Sequence, residues 1–258
     1  AVVDAFDTTQ VVIGVDTRRS GSMLAAAVSA GVASAGADAI ELEVIPTPAV
    51  AREARVRNCP GVMVSASHNA FQDNGLKVFG PGGQKLSDAE QSRIESTIMA
   101  ILTTGRGVRV VGPNEMAQEI PPPTGAEVGR IEWEPQVAED YVAELVQAGG
   151  GDGALDGMVA VLDAAHGAGS AIGPRALRRL GVELRVIGDL PNGTNINDGV
   201  GSTALGPLRE AVMNLDGAVG FALDGDADRC LAVDEHGNEI DGDQIIAVCA
   251  LEMARAGK

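Results

Sequence analysis

The sequence predicts an α/β protein of two domains whose sheets are mostly parallel. Three observations carry this prediction. A chain of 258 residues suits two medium domains better than one large one. Short apolar runs alternate with stretches of helical period in both halves, and the alternation restarts after a proline-rich interval. Hydrophobic residues make up 45% of the chain and aromatics only 2%, so the cores are built from Ala, Val, Ile and Leu, as suits strands buried on both faces.

The first half opens in what reads as the tail of a helix, Val2 to Phe6, and continues with a strand at Val11–Val15. A helix follows with Leu24, Val28, Val32 and Ala35 on one face, and Gly36 is placed to stop it. Ile40–Ile45 is a second strand, closed by Pro46-Thr47-Pro48, and Gly61–Val64 a third. Ser87-Asp88-Ala89-Glu90 is a capping box opening a helix with Ile94, Ile98, Ile101 and Leu102 on its face. Residues 103–135 lack periodicity, contain Pro121-Pro122-Pro123, and read as a crossover and inter-domain linker.

An amphipathic helix then carries Val137, Tyr141 and Leu145. Strands follow at 159–162, 184–187, 218–223 and 230–233. Helices are marked by Ile172, Ala176 and Leu180, by Leu205, Leu208, Val212 and Leu215, and by residues 243–256. The chain thus starts inside one helix and stops as another ends, the expectation for a piece of a longer protein. In parallel sheets ligands bind beyond the carboxyl ends of strands. That rule points to the residues after Val15, Val64 and Leu223.

The net charge of -17 makes nucleic acid and anionic membrane surfaces poor partners. Only Lys77, Lys85 and Lys258 of the 19 basic residues are lysines, so an anionic substrate needs a local positive pocket. Cys59, Cys230 and Cys249 are odd in number and form no C-x-x-C pair, which reads as packing residues in a reducing, cytoplasmic compartment. No apolar run is long enough to span a bilayer as a helix.

Two segments carry chemistry. Ser65-Ala66-Ser67-His68-Asn69 follows the third strand. A serine on such a turn is backed by N–H groups able to hold phosphate oxygens, and His68 beside it is able to bind phosphate or shuttle a proton. Taken alone, an ordinary polar turn is the better reading of this segment. Asp224-Gly225-Asp226-Ala227-Asp228-Arg229 follows an apolar strand. Three carboxylates at alternate positions repel one another unless a cation offsets them, and oxygen-only ligands favour Mg²⁺ or another hard divalent ion. An EF-hand is rejected: Glu235 stands at the twelfth position, but the sixth is Arg229 where glycine is needed, and the flanks read as strands. There is no G-x-x-x-x-G-K-[ST] and no G-x-G-x-x-G, so neither kinase nor dehydrogenase is supported. A metal loop, a candidate phosphoserine and the cations Arg18, His68, Lys77 and Arg229 point to phosphoryl transfer without a nucleotide.

At this point the chain resembles a known family. Gly14 to Gly21, Ser65 to Asn69 with Asp73-Asn74-Gly75-Leu76-Lys77, and Asp224 to Arg229 are similar to motifs of the α-D-phosphohexomutase superfamily, in the same order. Asn195 to Thr203 and Asp241 to Ile246 resemble segments of its bacterial phosphoglucosamine mutase branch. Two departures stand out: Ala70 where proline usually follows Ser-His-Asn, and Ala204-Leu205 where the branch has His-Pro.

The resemblance implies two consecutive three-layer α/β domains with mixed, mostly parallel sheets, the first two of a four-domain fold. Residues 1–120 would carry the phosphoserine loop, 121–240 the metal loop, and 241–258 the start of a third domain. Phosphorylated Ser67 would pass its phosphoryl group to a hexosamine phosphate through a bisphosphorylated sugar, interconverting glucosamine 6-phosphate and glucosamine 1-phosphate. One Mg²⁺ per chain would sit on Asp224, Asp226, Asp228 and the Ser67 phosphate. Lys77 would move the sugar proton, while Arg18, His68 and Arg229 would hold phosphate oxygens. A phosphomannomutase or phosphoglucomutase of the same superfamily is the rival within it, and a non-catalytic metal-binding module the rival outside it.

Overall fold

The computed structural model describes residues 1–104, 108–109, 118–119, 121–255 and 257. They fall into two compact units. The first comprises Ala1–Val15, Ser20–Val64 and Gly75–Val137; the second comprises Asp16–Arg19, Ser65–Asn74 and Ala138–Lys258. Two short loops from the first half of the sequence therefore pack with the second unit.

In the first unit the elements run α1 (Val2–Phe6), β1 (Gln10–Val15), α2 (Gly21–Ser34), β2 (Asp38–Val44), α3 (Thr47–Arg57), β3 (Gly61–Val64), β4 (Leu76–Phe79), α4 (Asp88–Thr104), β5 (Val108–Arg109), β6 (Gln118–Glu119) and β7 (Ile131–Trp133). The main sheet has the order β4-β3-β1-β2-β7, parallel except for β4. Side chains alternate across a sheet, so the odd positions Val11 and Ile13 share a face with Ala39, Val62 and Val64, which packs with Ala25 and Val32 of α2. The opposite face belongs to α3. A Cβ on Gly61 would lie 3.2 Å from both Val50 and Ala54, and one on Gly14 would lie 2.4 Å from Val50. Helix on either face makes three layers, and Gly14 is glycine because α3 lies directly on the sheet there.

The second unit holds α5 (Gln136–Ala148) from Ala138 on, β8 (Val159–Asp163), α6 (Gly169–Arg179), β9 (Glu183–Ile187), α7 (Gly206–Met213), β10 (Val219–Leu223), β11 (Cys230–Val233), β12 (Glu239–Ile240) and α8 (Gly242–Arg255). Its sheet has the order β12-β11-β10-β8-β9. The β8–β9 and β8–β10 pairs are parallel, and β10–β11 and β11–β12 antiparallel. Val161 and Ala222 face Leu208 and Val212 of α7. Leu162 points the other way, where a Cβ on Gly173 of α6 would reach it at 2.9 Å. This unit is three-layered too, and both sheets are mixed, as expected.

Several expectations need correction. Pro46-Thr47-Pro48 does not merely close β2; it opens α3, because a proline in the first turn forfeits no helical hydrogen bond. Part of the expected linker is a strand: β7 pairs in parallel with β2 through Ala39, Ile40 and Glu41. The first sheet therefore extends past the expected domain boundary at residue 120, which itself lies outside the described residues, as do the other undescribed positions of the linker reading. The Ser87 capping box forms, with Ser87 N donating to Glu90 at 2.7 Å, but the face of α4 is rotated. Ile94 and Thr97 are buried, whereas Ile98 and Leu102 are exposed. On α2, Ala35 is exposed past the helix end, while Gly36 adopts φ 84° as the stop signal requires. The antiparallel strands β4 and β12 had no clear sequence signal.

Candidate functional site

Three strands, each paired in parallel within its own sheet, lead into a buried aspartate. Val15 of β1 runs into Asp16, Leu162 of β8 into Asp163, and Leu223 of β10 into Asp224; these are 1%, 0% and 0% exposed. All three belong to the second unit, and the site is built on them.

Asp16 organises the serine loop. Its Oδ2 accepts from Ser65 Oγ at 2.7 Å and from Arg18 Nε at 2.8 Å, and its Oδ1 from Arg18 N at 2.9 Å. Burial pushes its carboxyl above the ordinary range, against the pull of Ser65 and Arg18. Ser65 Oγ in turn accepts from Ser67 N at 2.9 Å. Ser67 itself sits in the left-handed region at φ 52°, an unusual conformation for a residue with a Cβ. That turn presents its hydroxyl, and Ser67 Oγ donates to Asp224 Oδ2 at 2.6 Å.

Arg18 lies beneath this loop, its side chain fully buried. Nη2 donates to the carbonyls of Ser67 and Asn69, each at 2.9 Å. Nη1 donates to the carbonyl of Asp73 at 3.0 Å and to that of Ala70. With Nε on Asp16, every N–H direction of the guanidinium is spent on the protein. The expectation that Arg18 holds phosphate oxygens is therefore replaced by one in which it holds the serine loop.

The acidic loop turns through Ala227 at φ 55°, between β10 and the antiparallel β11, so the flanking strands confirm the rejection of an EF-hand. Ligand oxygens of Asp224, Asp226 and Asp228 lie within 4.8 Å of one another, the first two buried and the third exposed. Burial, followed by the charges of Asp226 and Asp228, holds the Asp224 carboxyl above its ordinary range, while the Ser67 hydroxyl and Arg229 pull it down. Three converging carboxylates with only oxygen donors are the arrangement a hard divalent ion fits. Arg229 bridges the two loops: it donates to Asp224 Oδ2 at 3.0 Å, to Ser67 Oγ at 2.9 Å and to Nδ1 of His68. A cation, a hydroxyl and a carboxylate cluster thus meet at Ser67 Oγ, across about 160 residues of sequence. Cys230 closes the loop, but burial pushes its thiol up to about 11, which makes it a packing residue.

The structure brings together Ser67, His68, Asp224, Asp226, Asp228 and Arg229. Lys77 belongs to the first unit, on β4 opposite Met63 of β3. Sequence reasoning missed Asn197, whose Nδ2 donates to Ser67 O at 2.9 Å and to Asn69 O at 3.0 Å. It also missed Asp163, which accepts from Ala165 N at 3.0 Å and Gly201 N at 2.8 Å and so anchors the segment carrying Asn197. An available signal was the recurrence of an apolar strand ending in aspartate. Gly225 is required by proximity: a Cβ there would lie 2.6 Å from Ser67 O and 2.8 Å from Asn197 Nδ2.

Residues 1–104 match phosphoglucomutase/phosphomannomutase, alpha/beta/alpha domain I, and residues 139–237 match alpha/beta/alpha domain II of the same family. The chain is 47% identical over 248 residues to a phosphoglucosamine mutase of Mycobacterium ulcerans, covering 96% of this chain and 52% of the relative. It is 46% identical over the same length to a phosphoglucosamine mutase of Symbiobacterium thermophilum, with the same coverage. The chain spans about half the length of the curated relatives it matches. The solved structure of a phosphoglucomutase/phosphomannomutase family protein from Burkholderia thailandensis superposes with a TM-score of 0.75 over 99% of this chain and 54% of that one, at 24% identity, and so shares the fold. With both α/β/α domains matched in order, the chain belongs to the phosphoglucomutase/phosphomannomutase family.

Proposed function

We propose that these two domains are part of a phosphoglucosamine mutase, which interconverts glucosamine 6-phosphate and glucosamine 1-phosphate through phosphorylated Ser67. The observation that carries the reading is the meeting of Ser67 Oγ with Asp224 Oδ2 at 2.6 Å and Arg229 Nη2 at 2.9 Å. The mutase relatives at 46–47% identity support the substrate class.

In this reading the phosphoryl group of Ser67 passes to the free hydroxyl of the sugar phosphate, giving a bisphosphorylated sugar. After that sugar turns over, its other phosphate returns to Ser67 Oγ. Lys77 takes the proton from the attacking sugar hydroxyl and gives it back. Arg229 and His68 hold the oxygens of the transferring phosphate, and Arg18 holds the loop on which it rides. Asp224, Asp226 and Asp228, with the serine phosphate, would hold one Mg²⁺, which would supply neutralisation of charge developing on the transferring group. The first domain extends through β7, the second to about residue 240, and residues 241–258 open a third. The protein works in the cytoplasm, with no nucleic-acid or membrane partner.

The test uses freshly purified full-length protein. Phosphopeptide mapping is expected to find phosphate on Ser67, and steady-state assays to give glucosamine phosphates the highest kcat/KM. Phosphate stably on Ser65 with Ser67→Ala still active would refute the nucleophile. A preference for mannose or glucose phosphates would move the protein to another branch of the family.

A further inference from the structure

Asn197 stands 130 residues beyond Ser67 in sequence, yet its side chain is committed to the serine loop. Its Nδ2 donates to the carbonyls of Ser67 and Asn69. Those are the two carbonyls that receive Nη2 of Arg18, each at 2.9 Å. A carbonyl oxygen has two lone pairs, so both oxygens are gripped by two donors at once. The amide orientation is fixed by this environment, because the flipped amide would set an oxygen against two oxygens. It also has a cost: Oδ1 of Asn197 is buried and makes no hydrogen bond. A side chain that leaves its oxygen unsatisfied while spending its nitrogen on a neighbouring loop serves that loop.

The backbone agrees. Asn197 adopts φ 59°, a conformation asparagine tolerates better than most residues, and its own N–H is tied to Ala165 O at 2.9 Å. It is therefore a fixed post against which the loop is held. The loop it holds is itself strained, with Ser67 at φ 52°, and a residue in that region persists only where its surroundings over-determine it. Arg18 and Asn197 supply that over-determination. Gly225 completes the contact, since any side chain there would collide with both Ser67 O and Asn197 Nδ2.

We propose that Asn197 is a positioning residue for phosphoryl transfer, acting with Arg18 as a two-sided clamp on the Ser67 and Asn69 carbonyls. The inference rests on the reading of Ser67 as the phosphorylated nucleophile. Asn197 touches no atom of the transferring group in this account. Its loss changes where Ser67 Oγ points, and so affects the rate of transfer while leaving the binding of the sugar intact.

The experiment separates the amide from the backbone it sits on. Asn197→Gly keeps the left-handed conformation and removes both donors; Asn197→Asp keeps the size and sets an acceptor against two carbonyls. In the full-length mutase we expect Asn197→Gly to lower kcat about tenfold and Asn197→Asp about a hundredfold, the scale for small misplacements of a reacting group. KM for the sugar phosphate stays at its wild-type value in both. Arg18→Lys, which loses the planar fork, lowers kcat as well. Because the two residues share acceptors, Arg18→Lys combined with Asn197→Gly loses less than the product of the single losses. Wild-type kcat in Asn197→Gly, a rise in KM alone, or strictly multiplicative losses would each overturn the clamp. In those cases phosphate mapped to Ser67 of the wild type leaves the mutase reading standing. An active wild type with no phosphate on Ser67 overturns both.

Discussion

Asp163 and Asp224 lie at the carboxyl ends of adjacent parallel strands of one sheet, each fully buried, with Asp163 paired to Ala222, two residues before Asp224. Burial pushes both carboxyls above their ordinary range. Their partners differ. Asp163 spends its two oxygens on backbone N–H groups of Ala165 and Gly201 and so staples two loops together. Asp224 accepts from Asp228 N and Arg229 N on one oxygen, and from a serine hydroxyl and a guanidinium on the other, with two further carboxylates beside it. Residue type and burial are the same, and both stand near a strand's carboxyl end. Among the described residues, the hydrogen-bond partners of Asp163 are fixed backbone groups, whereas those of Asp224 include groups able to exchange charge.

The largest effect expected of this contrast is on turnover. Asp224→Asn is expected to reduce kcat by about 10²–10³-fold or more, the scale for losing one charge-stabilising group at a transferring centre. Asp163→Asn, equally buried, is expected to cost less than about tenfold, since it acts only through loop position. Mn²⁺ binding followed by spin resonance gives a second readout: it weakens in Asp224→Asn and holds in Asp163→Asn. Equal losses in the two variants would break the distinction.

Gly225→Ala sharpens it from the backbone side. The added methyl would meet Ser67 O at 2.6 Å, so the acidic and serine loops must separate. A displacement of that kind is expected to lower kcat by about 10²-fold without removing any charged group. Thermal melts of the same variant distinguish loop separation from global unfolding.

The fold was legible in the sequence where pattern and topology agree. Strand β3 lies at the residues its apolar run predicts, and the carboxyl-end rule points to Asp16, Ser65 and Asp224. Helix α3 was hidden because Pro46 and Pro48 read as breakers, although proline is welcome in a first helical turn. Strand β7 was hidden because three exposed residues at a sheet edge carry no alternation long enough to register. Of the residues named from the sequence, Ser67, His68, Asp224, Asp226, Asp228 and Arg229 lie together, whereas Asn197 and Asp163 beside them went unread. Their roles are hydrogen bonds to backbone from far along the chain, which no local spacing encodes. Arg18 was found for its charge, and only the structure shows that charge turned inward onto four carbonyls and Asp16.

A smaller effect is expected on stability. Asp163→Asn leaves one of the Ala165 and Gly201 amides facing an NH₂ group, and a buried unsatisfied donor costs about 1–3 kcal/mol. The same carboxylate should make that cost depend on pH. Its folded pKa is raised from 3.8, chiefly by desolvation, so the native state binds a proton more tightly than the unfolded chain. Between 3.8 and the raised value the native state then holds more protons than the unfolded state, and the slope of unfolding free energy against pH is negative. Asp163 therefore contributes most below its unfolded pKa, and that contribution declines as pH rises through the folded pKa. The asparagine variant has no such titration. Urea melts of wild type and Asp163→Asn are expected to differ most near pH 4 and less at pH 7. A gap that widens toward neutral pH would mean that the two backbone N–H groups outweigh burial and hold the Asp163 carboxyl below its ordinary range.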